Sequence, residues 1–347
     1  MSKPKIVSIF SGVGGLDAGF HKAGFETVFA TDIWELSCES FKKNFPKCEV
    51  LTDDIKNIDF KKIKTKYKQI DGLIGGPPCP SFSKSRFYRT EMDRGIDDEI
   101  GFNTVSNYFR AVSELKPNFF LLENVHGFIY KPHQSTLEYV KSESERLGYK
   151  LFFNVVNAAD YGVAQTRERF ICVGVKNKLP DFKYPKPTHA LNESLTNKPK
   201  LKKWITCGDI LNDLDFDLPE DSLMQAGSRH KDILKLIPPG DNYLFFTKER
   251  GHPDPLFKWR SRYWSFLLKL SPDRPSWTIQ ASHSNNMGPF HWKNRFLRIP
   301  EIKRIQSFSD DYIVLGGFKD QWRQIGNAVP PNLAFHFARS IERQYFK

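Results

Sequence analysis

The stretch KIVSIFSGVGGLDAGF, residues 5–20, joins an apolar run to a glycine-rich turn and then to a helical pattern. Gly12, Gly14 and Gly15 let the chain turn tightly and let a ligand approach the backbone at the start of the helix. Asp32 ends the next apolar run about 20 residues further on, where a carboxylate can accept hydrogen bonds from the ribose of an adenosine-containing cofactor. A plain tight turn and a helix N-cap would use the same residues, so this stretch alone leaves both interpretations open.

Short apolar segments alternate with helical patterns up to about residue 176. This alternation predicts an α/β fold with a doubly wound, mainly parallel sheet. Ligands bind beyond the carboxyl ends of the strands in such a sheet, so functional residues are expected just after strands. The predicted strands are KIVSIF, ETVFAT, DGLIGG, NFFLLEN, LFFNVVNA and RFICVGV.

The pattern changes at about residue 179, where a stretch rich in proline, lysine and asparagine is typical of an interdomain linker. The following residues, to about 317, are irregular in pattern, and helical periodicity returns in QIGNAVPPNLAFHFARSIERQ. We therefore expect a large domain at 1–188, completed by 318–347, and a smaller, irregular domain at 189–317.

The net charge of the chain is +12, from 52 lysines and arginines against 40 aspartates and glutamates. This excess favours a polyanionic partner, either nucleic acid or an anionic membrane. No apolar run approaches the roughly 20 residues that cross a bilayer, so we expect a protein that is neither membrane-spanning nor secreted.

The cysteines and histidines show no metal-binding or disulfide pattern, because there is no CxxC pair and no HExxH spacing. An odd, dispersed set of cysteines suits a reducing cytoplasm. We therefore predict a cytoplasmic protein without a metal ion. The cysteines are Cys38, Cys48, Cys79, Cys172 and Cys207.

The segment GGPPCPSFS, residues 75–83, places Cys79 directly after the predicted strand DGLI in a turn rich in proline and glycine. Most free cysteines are inert packing residues, but a nucleophile needs the fixed, exposed position that such a turn provides. Glu123 ends the apolar run NFFLLE, and neighbouring parallel strands would bring it beside Cys79. A simply solvated glutamate is the alternative.

The segment QTRERF places Gln165, Arg167 and Arg169 at alternate positions of a predicted strand. Alternate residues of a strand point to one face, so three polar side chains would share a surface. A solvated arginine face is the competing interpretation.

Eight segments together resemble the ordered motifs of the cytosine-5 DNA methyltransferase family. The combination of PPC, ENV, QxRxR and GNAVPP is highly specific, and the resemblance spans residues 6–335 with a variable region left open. It implies a Rossmann-like, S-adenosylmethionine-dependent methyltransferase sheet with a smaller, irregular target-recognition domain. In chain order the segments are FSGVGGL, Asp32, DDI, GGPPCPSFS, ENV, QTRER, RPSWTI and QIGNAVPP.

The resemblance also implies the chemistry. Cys79 attacks carbon 6 of a cytosine flipped out of the duplex, which makes carbon 5 nucleophilic toward the methyl group of S-adenosylmethionine. Glu123 binds ring nitrogen 3 and the exocyclic amine, while Arg169 and Arg167 support the base oxygen and the glutamate. The implied partner is double-stranded DNA, bound by a monomer that protects host DNA from a cognate restriction endonuclease.

By the same resemblance, the glycine turn, the acids after two strands and the last motif hold S-adenosylmethionine. Asp32 stands where the family mostly has glutamate, and Ile33 stands where an aromatic residue often stacks on adenine, so the affinity for the cofactor can differ. Asp54 also suits an ordinary surface turn. The implied cofactor-binding residues are Phe10, Ser11, Gly12, Gly14, Gly15, Leu16, Asp32, Ile33, Asp54, Ile55, Pro77, Asn327, Ala328 and Val329.

Two regions are implied to bind DNA. Residues 81–103 match the family's loop that closes over flipped DNA, although Pro80 stands where glutamine is usual. The smaller domain interleaves arginines with aromatic residues, which suits phosphates and base edges, with a solvated or structural role as the alternative. The implied DNA contacts are Ser81, Ser83, Lys84 and Arg86 in the first region, Arg260, Arg262 and Arg295 in the second, and in addition Gln165 of the QTRER segment.

Three alternatives stay open at this point. A tRNA cytosine-5 methyltransferase would use the same chemistry, although the basic region between QTRER and RPSWTI favours DNA. A nicotinamide-dependent dehydrogenase shares the glycine turn and the following acid but has no use for PPC, ENV and QTRER. A catalytically silent DNA-binding homologue would not need both Cys79 and Glu123.

Overall fold

The computed structural model describes residues 3–78, 99–191, 201–260, 263–282 and 284–347. A seven-stranded sheet is formed by β1 (Lys5–Ile9), β2 (Glu26–Asp32), β3 (Glu49–Thr52), β4 (Gly72–Gly75), β5 (Phe119–Val125), β6 (Tyr149–Asn157) and β7 (Glu168–Lys176). Its strand order is β3-β2-β1-β4-β5-β7-β6. Strands β1 to β5 run parallel, and β7 runs antiparallel to both β5 and β6. The predicted α/β fold with a mainly parallel sheet is therefore confirmed.

Helices follow the strands, as the alternation predicts. In the described parts of the chain they are α1 (Gly15–Lys22), α2 (Glu35–Asn44), α3 (Phe60–Tyr67), α4 (Glu99–Leu115), α5 (Gln134–Arg146), α6 (Cys207–Leu211), α7 (Lys231–Leu236), α8 (Ile299–Ile305), α9 (Phe318–Asn327) and α10 (Pro331–Tyr345). None of these helices is long and apolar enough to cross a bilayer.

The sheet is covered on both faces because its side chains alternate between two apolar cores. In β1, Val7 enters the core that includes side chains of α3, α4 and α5, whereas Ile6 enters the core of α1 and α10. In β5, Phe120 enters the first of these cores and Phe119 enters the second. Helix α10, late in the chain, therefore packs beside α1, which is early in the chain.

The described residues between 201 and 317 form short helices, single bridges and turns around an apolar core of their own. A further core joins Val13 of the glycine turn to Ile302 of α8 and Ile325 of α9. This irregular part of the chain therefore packs directly against the turn that follows β1. The domain boundaries expected at 188/189 and 317/318 stay predictions, because this shared core contains residues from both sides.

Asp17 of α1 is a buried carboxylate between the helix and the sheet, with none of its surface exposed. It accepts hydrogen bonds from Ser8 Oγ at 2.9 Å and from Thr27 Oγ1 at 2.8 Å. Burial raises the pKa of Asp17 to about 6, although both hydrogen bonds lower it. The folded protein therefore holds an ionised carboxylate at neutral pH at a cost in stability.

We expect Asp17→Asn to remove the pH-dependent loss of folding stability that the buried Asp17 carboxylate causes when it ionises. The pKa in the folded state lies above the ordinary value of 3.8, so the penalty is absent below pH 4, grows up to about pH 6 and is constant above that. The stability difference between the variant and the wild type should shift in favour of the variant by about 2 kcal/mol between pH 4 and pH 7. Urea unfolding at several pH values measures this difference.

Asp59→Asn is the matched control, because Asp59 caps α3 by accepting a hydrogen bond from the Lys62 backbone N–H. That hydrogen bond lowers the pKa of Asp59, so the stability difference for this variant should move slightly in the opposite direction as the pH rises. A difference for Asp17→Asn that is the same at all pH values would contradict the assignment.

Candidate active site

The glycine turn after β1 is packed against the segment that follows α9. A Cβ built on Gly15 would lie 2.2 Å from the Val329 carbonyl oxygen, so only glycine allows this approach. The hydroxyl of Tyr312 donates to the Val13 carbonyl at 2.6 Å and fixes the turn from the same side. A Cβ on Gly12, whose φ is +53°, would meet no atom within 4 Å. The turn is therefore closed on one side and open at Gly12.

Asp32, at the end of β2, faces this turn. Its carboxylate accepts hydrogen bonds from the backbone N–H of Gly12 at 2.9 Å and of Trp34 at 3.0 Å. Burial raises the pKa of Asp32, against the effect of those hydrogen bonds. Beside it, Ile33 is 71% exposed and Leu51 of β3 is 43% exposed. A fixed carboxylate beside exposed apolar side chains forms a surface that suits a nucleoside.

The other predicted cofactor residues lie around the same edge of the sheet. The last residue pair of β2 and β3 is Asp32 with Thr52, and Asp54 follows two residues later. Asp54 accepts a hydrogen bond from the Lys56 backbone N–H at 3.0 Å, and so it does cap a turn. The side chain of Ile55 lies mainly in the core. Asn327 is exposed at the end of α9.

Glu123, near the end of β5, contacts the segment that leads into Cys79. Strands β4 and β5 are parallel neighbours, and a Cβ on Gly76 would lie 2.9 Å from Glu123 Oε2. Asn124 Nδ2 donates to the Pro77 carbonyl at 3.2 Å, which ties the end of β5 to this segment. Gly76 and Pro77, which precede Cys79 in the chain, therefore lie beside the end of β5 that carries the glutamate.

Several predicted residues lie outside the described part of the chain, and their positions stay predictions. Besides the candidate nucleophile, they belong to the two regions expected to contact DNA. They are Cys79, Ser81, Ser83, Lys84, Arg86 and Arg262.

Arg169 on β7 pairs with Glu123 across the two strands. Its Nε lies 2.7 Å from Glu123 Oε1, and both side chains are 11% exposed. Burial raises the pKa of Glu123, and Arg169 opposes this shift more strongly than Arg167 does. A carboxyl in this setting can hold a proton while the guanidinium fixes its orientation. The structure therefore brings together Glu123 and Arg169, two residues that the sequence predicts for the site.

Arg167 is buried, which contradicts its predicted support of the base oxygen, although its charge does act on Glu123. Its side chain is almost completely buried, at 1% exposure. The guanidinium donates to the carbonyls of Ile279 at 3.0 Å, Gly326 at 2.9 Å and Ala328 at 3.1 Å. Arg167 therefore joins the start of β7 to the segment of the last motif and holds both in place.

We expect Arg167→Met to lower the free energy of unfolding by at least about 2 kcal/mol, because the buried carbonyls of Ile279 and Gly326 lose their donor at about 1 to 3 kcal/mol each, whereas the Ala328 carbonyl keeps the Gln306 amide. Urea unfolding measures this loss. Arg146→Met is the control, since Arg146 forms an exposed ion pair with Glu143 that contributes less than about 1 kcal/mol. Equal losses in the two variants would contradict the structural role of Arg167.

The structure contradicts two of the predicted DNA contacts, because both side chains are buried. Gln165 has none of its surface exposed, accepts from the Ile279 N–H at 3.0 Å and donates to Gln306 at 2.7 Å. Strand β7 begins only at Glu168, so Gln165 precedes it and pairs with Ser276 instead. Arg295, 4% exposed, donates through both Nη atoms to the Glu301 carboxylate at 2.9 and 2.7 Å. Neither side chain is available to a DNA duplex.

Sequence reasoning missed two amides at the site. Asn124 orients the chain before Cys79, and Gln306 Nε2 donates to the carbonyls of Ile325 at 2.7 Å and Ala328 at 3.1 Å. The sequence could have indicated Asn124, because its amide directly follows the candidate acid Glu123. Gln306 follows the apolar positions of α8, where a polar residue predicts a buried hydrogen bond.

Among the described residues, no group of three or more His, Cys, Asp or Glu side chains could hold a metal ion. The structure instead presents a glycine turn, an acid at the end of β2 and a buried Glu–Arg pair along one edge of the sheet. Together with the antiparallel β7 between β5 and β6, these features define a Rossmann-like methyltransferase.

The chain belongs to the C-5 cytosine-specific DNA methylase family, which it matches over residues 4–343. It is 34% identical over 368 residues to the type II methyltransferase M.SacI of Streptomyces achromogenes, covering 98% of this chain and 93% of that protein. It is 35% identical over 345 residues to the type II methyltransferase M.NgoFVII of Neisseria gonorrhoeae, covering 98% and 87%.

Solved structures share the fold. A putative DNA modification methyltransferase encoded within an Escherichia coli prophage superposes with a TM-score of 0.70 at 23% identity, covering 99% of this chain and 100% of that one. The Spodoptera frugiperda protein DNMT2 superposes with a TM-score of 0.64 at 17% identity, covering 98% and 99%. The Rossmann-like methyltransferase fold expected from the sequence is therefore confirmed.

Proposed function

We propose that this chain is a DNA (cytosine-5-)-methyltransferase in which Cys79 is the nucleophile and Glu123 the proton-holding acid. The observation that carries the assignment is the position of Glu123. It lies 2.7 Å from Arg169 and in contact with the Gly76–Pro77 segment, which leads directly to Cys79. Membership in the C-5 cytosine-specific DNA methylase family supports the same reaction.

In the proposed mechanism, the Cys79 thiolate forms a bond to carbon 6 of the cytosine. Glu123 donates a hydrogen bond to ring nitrogen 3 and accepts one from the exocyclic amine, which stabilises the charge that enters the ring. Arg169 fixes the glutamate and supports the base oxygen. After methylation, a base from the solvent takes the proton of carbon 5, the electron pair of that C–H bond restores the double bond to carbon 6, and the carbon–sulfur bond breaks to return the thiolate.

The residues around the glycine turn suit S-adenosylmethionine. The open side of Gly12 leaves room for a ligand against the backbone, and Asp32 and the exposed Ile33 suit the ribose and the adenine. Asn327, exposed at the end of α9, suits the methionine part. When bound, this cofactor supplies the electrophilic methyl group that carbon 5 accepts.

The proposed substrate is double-stranded DNA with a specific sequence, and the proposed setting is a restriction–modification system in the cytoplasm. The names of the type II relatives and the net charge of +12 support this proposal. We propose that the protein acts as a monomer and that a cognate endonuclease recognises the same sequence. The expected target-recognition domain, residues 189–317, would read that sequence.

Labelled methyl transfer to mixed-sequence duplex DNA tests the proposal, with transfer RNA as the parallel substrate. We expect incorporation into DNA, and bisulfite sequencing of the product should place all methyl groups on one cytosine of one sequence. Incorporation into transfer RNA alone would identify an RNA methyltransferase. No incorporation at saturating cofactor, together with retained DNA binding, would identify a silent DNA-binding homologue.

A further inference from the structure

Two tryptophans form an exposed aromatic pair in the second half of the chain. Trp264 is 40% exposed and Trp277 is 45% exposed, and their ring centroids lie 5.8 Å apart at an interplanar angle of 57°. Tyr263 beside them is 45% exposed, and the Arg260 guanidinium lies 5.8 Å from its ring centroid. Tryptophan is usually highly buried, so two neighbouring exposed rings indicate a binding surface.

The pair lies beside the chain segment that carries the catalytic arginine. Ser276, directly before Trp277, donates its backbone N–H to Ala164 at 2.8 Å and accepts from Thr166 at 2.9 Å. Thr278 Oγ1, directly after Trp277, donates to the Thr166 carbonyl at 2.9 Å. Thr166 precedes Arg169 by three residues, a span of roughly 10 Å in an extended chain. The aromatic pair is therefore within a few nucleotide spacings of Glu123 and Arg169.

The chain just before Trp264 is rich in cations. The segment LFKWRSRYW, residues 256–264, contains one lysine, two arginines and no acid. Lys258 and Arg260 of this segment are exposed. Aromatic rings next to such cations fit a nucleic acid strand, because each base offers a flat face and each phosphate a negative charge.

We propose that Trp264 and Trp277 stack on a nucleotide next to the flipped cytosine and that Arg260 binds a neighbouring phosphate. This inference rests on the proposed function, because removing one base from the duplex exposes the faces of its neighbours close to the active site. The tryptophans then hold the opened duplex in position. They are positioning residues and take no part in bond formation.

Equilibrium binding to two duplexes tests the proposal. One duplex carries the sequence identified by bisulfite sequencing, and the other is a scrambled duplex of equal length. We expect Trp264→Ala and Trp277→Ala to weaken binding to the target duplex about tenfold, the scale of one stacked base, and to leave binding to the scrambled duplex nearly unchanged. Trp277→Phe should restore most of the affinity.

Salt dependence separates stacking from charge. The alanine variants of both tryptophans should keep the wild-type slope of log K against log salt, whereas Arg260→Ala should reduce that slope by about 1. Phe153→Ala is the matched control, since Phe153 is an aromatic residue of β6 with 39% exposure and has no assigned contact with DNA. This control should bind both duplexes as the wild type does.

The proposal is overturned if the wild type methylates its target while both tryptophan variants bind that duplex normally. It is also overturned if they lose affinity for both duplexes equally, or change only the self-association of the protein. Failure of the proposed function gives a different result, namely a wild-type protein that transfers no methyl group to any DNA.

Discussion

Cys79→Ser is expected to reduce methyl transfer by on the order of 10⁴-fold or more, the scale on which enzymes lose activity with their nucleophile. A hydroxyl at this position would not supply the thiolate that adds to carbon 6. Binding of S-adenosylmethionine should stay within about twofold of the wild type, because the substitution replaces one sulfur atom by oxygen and leaves every proposed cofactor residue unchanged. Labelled methyl transfer and calorimetric titration measure the two quantities.

Cys48→Ala provides the control for this substitution. The Cys48 side chain is 5% exposed in a small apolar core, and burial raises the pKa of its thiol. This variant should keep wild-type turnover. Parallel loss of cofactor binding and turnover in Cys79→Ser would mean that the substitution disturbs the fold, and the nucleophile assignment would lose its support.

A duplex with fluorine on carbon 5 gives a second, independent readout. Because fluorine cannot leave carbon 5 as a proton does, the wild-type enzyme should stop with the cysteine still bonded to carbon 6. A covalent protein–DNA complex should survive denaturing electrophoresis for the wild type and for Cys48→Ala. A complex of the same yield with Cys79→Ser would show that another residue is the nucleophile.

Glu123→Gln is expected to lower kcat by about 100- to 10,000-fold, the contribution of a well-placed general acid. Glutamine keeps the size of the side chain but cannot deliver a proton to ring nitrogen 3. Affinity for the target duplex should change by less than about threefold, since most of the binding energy comes from phosphate contacts. Single-turnover methyl transfer and equilibrium binding separate the two effects.

The pH profile adds a test of the same residue. Burial raises the pKa of Glu123 above its ordinary value, so the protonated, active form persists to higher pH and disappears as the pH rises through that raised pKa. The wild-type kcat should therefore fall on the alkaline side, and the glutamine variant should lose that limb. Glu168→Gln, at an exposed neighbour that pairs with His126, should keep the wild-type profile.

The parts of the site that follow strand ends could be predicted from the sequence. Asp32 and Glu123 each end an apolar run, and parallel neighbours bring such ends to one edge of a sheet. The structure places Glu123 against Gly76 for this reason. The glycine turn could also be predicted, since a close approach to another backbone needs a residue without a side chain.

The burial of Arg167 and Gln165 could not be predicted, because their hydrogen-bond partners are distant in sequence. Arg167 donates to carbonyls 112 and 159 residues away, and Gln165 donates to a glutamine 141 residues away. A local pattern of alternating polar residues shows that they share a face but not whether another segment covers it. Arg295 is different, because its partner Glu301 lies only six residues further along, within reach of local reasoning.

The closure of the glycine turn by residues 326–329 has a consequence for protein synthesis. At about 5 to 20 residues per second, a ribosome adds Val329 roughly 15 to 60 s after Gly15. During that interval the nascent chain carries α1 without its partner α10, and Arg167, once it has been added, lacks the carbonyls of Gly326 and Ala328. The turn where we propose that the methyl donor binds is therefore completed only after residues 326–329 have been made.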